Sequence, residues 1–361
     1  MVVPAALSPT TKHIAMNFTI LRGYPSTDLE RAWREYLTQI ECPSHYDAPE
    51  YFLEPLWAGR NPFAVLALED NKIGGVLTGL HPDKHVMCGL PSRPQISVDP
   101  AADTEATLEA LVKGLLEESS SAELVSVYSW RQLQLAPFPA LGFQYRELPG
   151  NVVLDLTLGP DALFNQFSKD RRRNIRFAEK NGVEVSEALS AQDVADAYGV
   201  YSTWRQRRGK EAHGRTLSFE LYEKAVSLKG NRRLFVARVS GKVVATNIFR
   251  FFPGGLFESS ANTSLEEFIH LKPNDLLQWK GIEWACRNGL RRHSLGGSHQ
   301  FLLRFGGTVV PILGYRLDRT WLRRHDLREK VENAGRRIVR KLPPAMEDGI
   351  RKLAGKQKGK G

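Results

Sequence analysis

Two stretches of the chain, residues 63–80 and 234–252, share one plan: an apolar strand, a tight polar turn containing glycine, and a second apolar strand. The turns are Asp70-Asn71-Lys72-Ile73-Gly74 and Val239-Ser240-Gly241-Lys242. A lone hairpin is marginal in water and leaves both edges unpaired, so each must be extended by further strands and covered by helices. The flanking sequence supplies these in similar order. Residues 104–118 and 273–288 read as helices downstream of the two hairpins, with a strand following at 123–130 and a short one at 290–295. By element order alone the first half reads as a worn copy of the second, with no repeat detectable residue by residue.

Around this frame, residues 27–40 read as a helix with Leu29, Trp33, Tyr36, Leu37 and Ile40 on one face and Thr27 or Asp28 as its cap. An extended run occupies 142–158, and 160–181 reads as one long helix closed by Gly182. Helices at 191–207 and 218–228, a strand at 255–262 and an extended run around 308–317 complete the pattern. The expected fold class is α/β of the α+β kind: two tandem domains, each a mixed, mostly antiparallel sheet flanked by helices, plus a basic tail helix. The expected boundaries are a flexible N-terminus at 1–15, domains over 16–158 and 159–321, and the tail over 322–361.

Charge is unevenly spread. Residues 1–150 hold eleven basic and eighteen acidic side chains, residues 151–322 twenty-six and seventeen, and residues 323–361 thirteen and five. Attraction for RNA, nucleotide phosphates or anionic lipid therefore belongs to the second half and the tail. The three cysteines, Cys42, Cys88 and Cys286, are too scattered for a disulfide framework and fit a reducing compartment. No run reaches the roughly 18 to 20 apolar residues of a membrane span, and Met1 to His13 lacks a signal-peptide pattern. A cytoplasmic protein is expected. His81, His85 and Cys88 have a ligand-like spacing, but Pro82 and a loop context argue against a metal, and none is expected.

Four blocks of the second half carry a family resemblance: LFNQFSKDRRRNIRFAEKNGVEV (163–185), YGVYSTWRQRRG (198–209), GKVVATNIFRFF (241–252) and LKPNDLLQWKGIEWACRNGLRRHSLGG (271–297). In order and spacing they resemble the FemAB-type transferases, which are built from two domains of the GNAT acetyltransferase fold. The likeness covers about 150 residues by motif and the first 150 by element order. It implies two GNAT-like domains and an N-acyltransferase. It also implies an acyl donor, acetyl-CoA or another acyl-CoA or else aminoacyl-tRNA, with no bound cofactor. The chain departs from the family pattern at Ser294, where Asp is usual before Leu-Gly, and at Leu302-Leu303-Arg304-Phe305 before the last glycine pair.

Acyl transfer to an amine needs a carbonyl polariser, an acceptor for the amine's proton and a surface for the donor's phosphates. Acetyl-CoA enzymes of this fold hold the pyrophosphate on an Arg/Gln-x-x-Gly-x-Gly/Ala turn at a helix N-terminus. Gln206, Arg238, Gln278 and Arg304 each have glycine three residues on, but Glu211, Val243, Glu283 and Val309 stand where the small residue is required. That disfavours acetyl-CoA as donor. In the helix spanning 163–180, Arg172, Arg176 and Lys180 form a row at i, i+4 and i+8 opposite an apolar stripe, a candidate phosphate or RNA track that could equally be a solvated face. Arg208, next to the Gly209 that ends the second block, is a further candidate for binding the substrate or its phosphates. Glu258, flanked by Ser259, Ser260 and Asn262, His270 before the Pro273 helix, and His299 are the candidate proton acceptors. Gly296, Gly297, Ser298 and Arg304 form a candidate ligand turn, with two tight structural turns as the plain alternative.

In the tail, Leu327, Val331, Ala334, Ile338 and Leu342 recur at helical spacing among basic residues. A basic amphipathic helix over 322–342 suggests peripheral contact with anionic membrane, here the inner face of the plasma membrane; a helix docked on the second domain is the alternative. The last ten residues are expected to be disordered. The functional expectation is transfer of an acyl or aminoacyl group to an amine of a cell-envelope or polysaccharide precursor, small or lipid-linked, with tRNA as a possible partner. Its rival is a non-catalytic module that binds RNA or an anionic glycan on a duplicated fold.

Overall fold

Strand side chains alternate between two faces, and in both hairpins both faces are apolar, so each hairpin must be covered twice. The computed structural model describes residues 16–90, 95–130, 137–208, 216–227 and 230–339. Expectations for residues 1–15 and for the end of the tail lie outside the described residues. The first half contains β1 (Asn17–Leu21), α1 (Thr27–Gln39), β2 (Pro62–Glu69), β3 (Lys72–Leu80), β4 (His85–Cys88), β5 (Ile96–Val98), α2 (Thr104–Glu118), β6 (Leu124–Ser129), α3 (Pro137–Ala140) and β7 (Gln144–Asp155). The second contains α4 (Pro160–Gln166), α5 (Lys169–Lys180), β8 (Val183–Glu187), α6 (Ala191–Arg208), α7 (Phe219–Ser227), β9 (Arg232–Val239), β10 (Lys242–Phe251), β11 (Leu256–Ser264), α8 (Pro273–Arg287), β12 (Arg292–Ser294), α9 (Gln300–Leu303), β13 (Thr308–Asp318) and α10 (Arg324–Val339).

Instead of two separate sheets, the strands form one mixed sheet in the order β1-β2-β3-β4-β6-β13-β7-β12-β11-β10-β9-β8, with β5 paired to β3. Among the described residues only β4 with β6 and β11 with β12 run parallel. Read inward from either edge, the two halves match strand for strand until the centre, where they exchange closing strands. β13, last in the chain, pairs with β6 of the first half, while β7 pairs with β12 of the second. The two exchanged strands pair with each other along the middle of the sheet.

Alternation is visible in the packing. On β2, Phe63, Val65 and Ala67 bury against α2, whereas Ala64 and Leu66 bury on the side of α1. On β9, Phe235 and Ala237 face the core under α8, and Leu234 and Val236 face the one under α6 and α7. The stretch 160–181 is two helices, not one. Phe167 takes an extended conformation, and Ser168 caps α5 through the Arg171 N–H. Backbone bonding from the Ser168 N–H to the Arg304 carbonyl fixes this break. Asn181 then Gly182, at φ +73°, end α5, and Gly289, at φ +69°, ends the α8 segment.

Candidate active site

β11 and β12 are paired over three residues only, Leu256 to Glu258 with Arg292 to Ser294. Beyond Glu258 and Ser294 the two parallel strands part, because β11 runs on to Ser264 while the chain after β12 turns through Leu295 and Gly296. On its other side β11 carries a bulge: Ser259 pairs with Phe249 and Ala261 with Ile248, leaving Ser260 outside the register. A bulge frees a backbone N–H and re-aims neighbouring side chains. Glu258 thus stands at the root of a fork, one residue from the bulge.

The Glu258 side chain is only 4% exposed. Its Oε1 accepts a hydrogen bond from the Tyr46 hydroxyl at 2.7 Å and lies 3.6 Å from Arg250 Nη1. Arg250 Nη1 also donates to the Tyr46 oxygen, at 3.2 Å. Next to this trio lies Glu54, which pairs with Arg232, with Arg250 Nε at 3.5 Å and with His45 Nε2 at 3.4 Å. Asn231 Nδ2 donates to His45 Nδ1 at 2.9 Å, which assigns the imidazole proton to Nε2, facing Glu54. Two carboxylates and two guanidiniums balance, with a neutral imidazole between them. Breaking such a buried set strands an uncompensated charge, at a cost of about 3–5 kcal/mol.

The titration behaviour follows from burial and pairing. Burial pushes the His45 imidazole down to about 4. It pushes the Glu54 carboxyl up, but Arg250, the His45 N–H and Arg232 together outweigh it and hold the group well below the ordinary carboxylate range. Burial and the neighbouring Arg250 lower Arg232 to about 10, still charged at neutral pH.

Half of this cluster comes from the first half of the chain. The segment between α1 and β2 carries His45, Tyr46 and Glu54 across to β9, β10 and β11. Its anchors are many: Trp33 Nε1 donates to the Asp47 carbonyl at 2.7 Å, Thr78 Oγ1 to the Tyr46 carbonyl at 2.9 Å, and the Leu256 N–H to the Pro43 carbonyl at 2.9 Å. Gly255 makes the last approach feasible, because a Cβ there would fall 2.1 Å from the Pro43 oxygen.

A second polar chain runs beneath the fork. His293 on β12 is fully buried, donates from Nδ1 to the Phe257 carbonyl at 2.9 Å and accepts at Nε2 from Gln278 at 2.6 Å. Burial lowers it to about 4, so it stays neutral. Gln278 Oε1 accepts from Asn247, and Asn247 Oδ1 accepts from Ser259 at 2.9 Å, which ties α8 to the strand carrying Glu258.

A cleft of about 840 Å³ opens beside Arg250, between the first half's Trp57 and Arg60 and the second half's Trp204, Arg205, Ser260 and Asn262. Asn262 Oδ1 is buried with no hydrogen-bond partner among the described residues. Sequence reasoning found Glu258 and Asn262 but not Tyr46, Glu54, Arg232 or Arg250. For Arg232 and Arg250 the signal was a charged residue inside an apolar strand; Tyr46 and Glu54, between α1 and β2, gave none.

The other candidates lie elsewhere. His270 is exposed on the turn Glu266–Leu271 before α8. His299 is exposed and stacks on Phe301 at 6.1 Å. Gly296, Gly297 and Ser298 follow the fork directly, and the Gly297 carbonyl accepts from the Val152 N–H at 2.8 Å. Arg208 ends α6 in solvent. Arg172, Arg176 and Lys180 line, with Lys169, Arg173 and Phe177, a groove of about 690 Å³ on α5. Arg304 is exposed at the end of α9. Arg171 instead turns inward, pairs with Asp275 and stacks on Phe301 and Phe305 at 4.0 and 4.2 Å. Asp275 in the first turn of α8, with Pro273 at its start, makes that helix end a poor pyrophosphate cradle, since one N–H is missing and a carboxylate is already there.

The strands and helices that build this fork lie within residues 165–306, which fit the family model described as Acetyltransferase (GNAT) domain. This segment is a GNAT domain. The whole chain is similar in fold to FemX, at 13% identity and a TM-score of 0.61, covering 80% of this chain and 95% of that one. It is similar likewise to a tandem GNAT protein from the clavulanic acid biosynthesis pathway, at 11% identity and 0.56, covering 85% and 99%. L-PGS from Bacillus licheniformis aligns at 11% identity and 0.56, covering 83% and 93%. No curated protein matches the sequence. The matched segment thus contains the fork, Glu258 and the α5 groove, while β7, which borders it in the sheet, and β13 beyond β7 fall outside it.

Proposed function

We propose that the chain is an N-acyltransferase that passes an acyl or aminoacyl group to an amine of a cell-envelope or polysaccharide precursor. The observation that carries this reading is Glu258 at the root of the β11/β12 fork, beside the unpaired Ser260 of the bulge. In the reaction the amine attacks the donor's carbonyl carbon. A C–N bond forms, the ester C–O or thioester C–S bond breaks, and the amine's proton passes to Glu258 and from there to the leaving oxygen or sulfur. The Ser260 N–H donates to the carbonyl oxygen as charge develops on it. Tyr46 and Arg250 keep the Glu258 carboxylate oriented.

The cleft beside Arg250 is the acceptor's place in this reading. Trp57 and Trp204 offer apolar walls and Arg60 and Arg205 offer guanidiniums, a combination suited to an acceptor bearing phosphate or carboxylate. The start of α8 argues against a CoA pyrophosphate, and the α5 groove supports a polyanionic donor, so aminoacyl-tRNA is favoured over acetyl-CoA. The test is thermal stability and turnover of the full chain with acetyl-CoA, bulk aminoacyl-tRNA and a UDP-sugar precursor, alongside Glu258→Gln. Stabilisation by aminoacyl-tRNA with product formed by the parent chain and not by the variant is expected. Equal tRNA binding by both chains with no product from any donor would reduce the protein to a binder. Product from acetyl-CoA alone would reverse the donor assignment.

A further inference from the structure

The tail helix α10 turns the wrong way for a helix that merely closes a core. Two acidic side chains turn toward the sheet: Asp326 is buried against Arg146 and Arg316, at 3.2 and 3.0 Å, and Glu329 pairs with the same two arginines. That leaves the apolar stripe outside. Leu327 is 56% and Val331 64% exposed, and Ala334, next on the same stripe, is exposed too. At 100° per residue, Arg324 and Arg328 fall on one flank of this stripe and Lys330 on the other, all exposed. Just before the helix, Trp321 is 81% and Leu322 66% exposed. Leu322 and Arg323 adopt left-handed backbone, at φ +56° and +48°, a conformation that costs a branched or bulky residue and holds the Trp321-Leu322 pair out in solvent.

We infer that Trp321, Leu322 and the Leu327–Val331 stripe of α10 form a docking face for an anionic lipid bilayer. Apolar residues flanked by cations on both sides, with an indole at one end, match the chemistry of a headgroup boundary. The excess of cations over acids in residues 323–361 favours an anionic surface and opposes a second copy of the same face, which would bring like charges together. The acidic inner face fixes the outward orientation, so the helix needs no rearrangement to bind. This surface is separate from the Glu258 fork and does not depend on the reaction proposed there.

The test is flotation of the full chain with vesicles of phosphatidylcholine alone, or with about 30% phosphatidylglycerol, at low and moderate salt. Binding is expected only with phosphatidylglycerol. Trp321→Ala combined with Val331→Glu is expected to weaken it by about tenfold or more, and Arg324→Glu with Lys330→Glu by a similar factor. Both pairs lie in solvent, and an unchanged thermal midpoint checks that the fold is intact. No binding to the mixed vesicles overturns the proposal. So does binding that ignores the Trp321 and Val331 changes, which would assign the attraction to charge alone. Lipid-free self-association that disappears with Val331→Glu would assign the face to a second copy and likewise overturn it.

Discussion

The two ends of the sheet are built on one register and equipped differently. Lys72 and Lys242 each open the second strand of a hairpin, each hairpin has a bulge two residues on, and the strands then run in step. Where the second half has Arg232 paired with Arg250, and Arg250 with Glu258, the first half has Pro62 paired with Leu80, and Leu80 with Met87. The parallel partners also correspond, Ser294 to Glu258 and Ser126 to Met87. Even the fork is altered: β4 breaks off at Cys88, and β5 resumes the pairing with β3. A proline, a leucine and a methionine cannot make the charged set, so that set is confined to one end. The first half contributes instead through the segment after α1, which sends His45, Tyr46 and Glu54 into the other end. The scaffold is duplicated; the buried charged cluster is single and shared.

That contrast can be broken in several ways. Glu258→Gln should lower turnover by about 10²- to 10⁴-fold while leaving donor binding in place, whereas Met87→Gln at the matching register should leave turnover within about twofold. Equal losses would make the two ends functionally alike. Next in size, Glu54→Gln strands Arg232 and Arg250, and Arg171→Met strands Asp275. Each should lower unfolding stability in urea by about 3–5 kcal/mol.

A gentler test uses pH. His45 and His293 are lowered to about 4 in the folded chain, against about 6.5 when unfolded. Between those values the unfolded state binds the extra proton, so stability should fall as pH drops from about 6.5 to 4, by about 1.4 kcal/mol per pH unit for each imidazole. Glu54, held low, adds to the loss at the acid end of that window. Denaturation midpoints across the range should show the slope, and His293→Gln should remove one imidazole's share. Smallest of all, Arg172→Ala with Arg176→Ala on the exposed side of α5 should change stability by no more than about 0.5 kcal/mol. If that pair also leaves tRNA binding and its salt dependence unchanged, the groove is plain surface.

The contrast also separates what was legible from what was not. Hairpins, helices and their order could be read from the sequence because they depend on local periodicity and on turns such as Ser240-Gly241. The break at Phe167 could not, since it depends on a carbonyl at Arg304, far along the chain. Arg171 and Arg172 look alike in a basic run, yet one step of 100° puts the first in an aromatic box against Asp275 and the second in the groove. Glu258 stood out as a lone carboxylate on a strand, flanked by Ser259, Ser260 and Asn262. Its partner Tyr46, 212 residues away, sits in a stretch with no periodicity at all. No local pattern announces the exchange of β7 and β13, because both read simply as strands.

That exchange governs when the molecule can be finished during synthesis. The first half is made first, but β6 has only β4 beside it until Thr308–Asp318 has left the ribosome. At about 5–20 residues per second the wait between those strands lasts roughly 10–40 s. A nascent chain arrested near residue 200 should therefore be far more sensitive to protease than one released whole. Translation rate, as well as sequence, bears on how much of this protein reaches its native state.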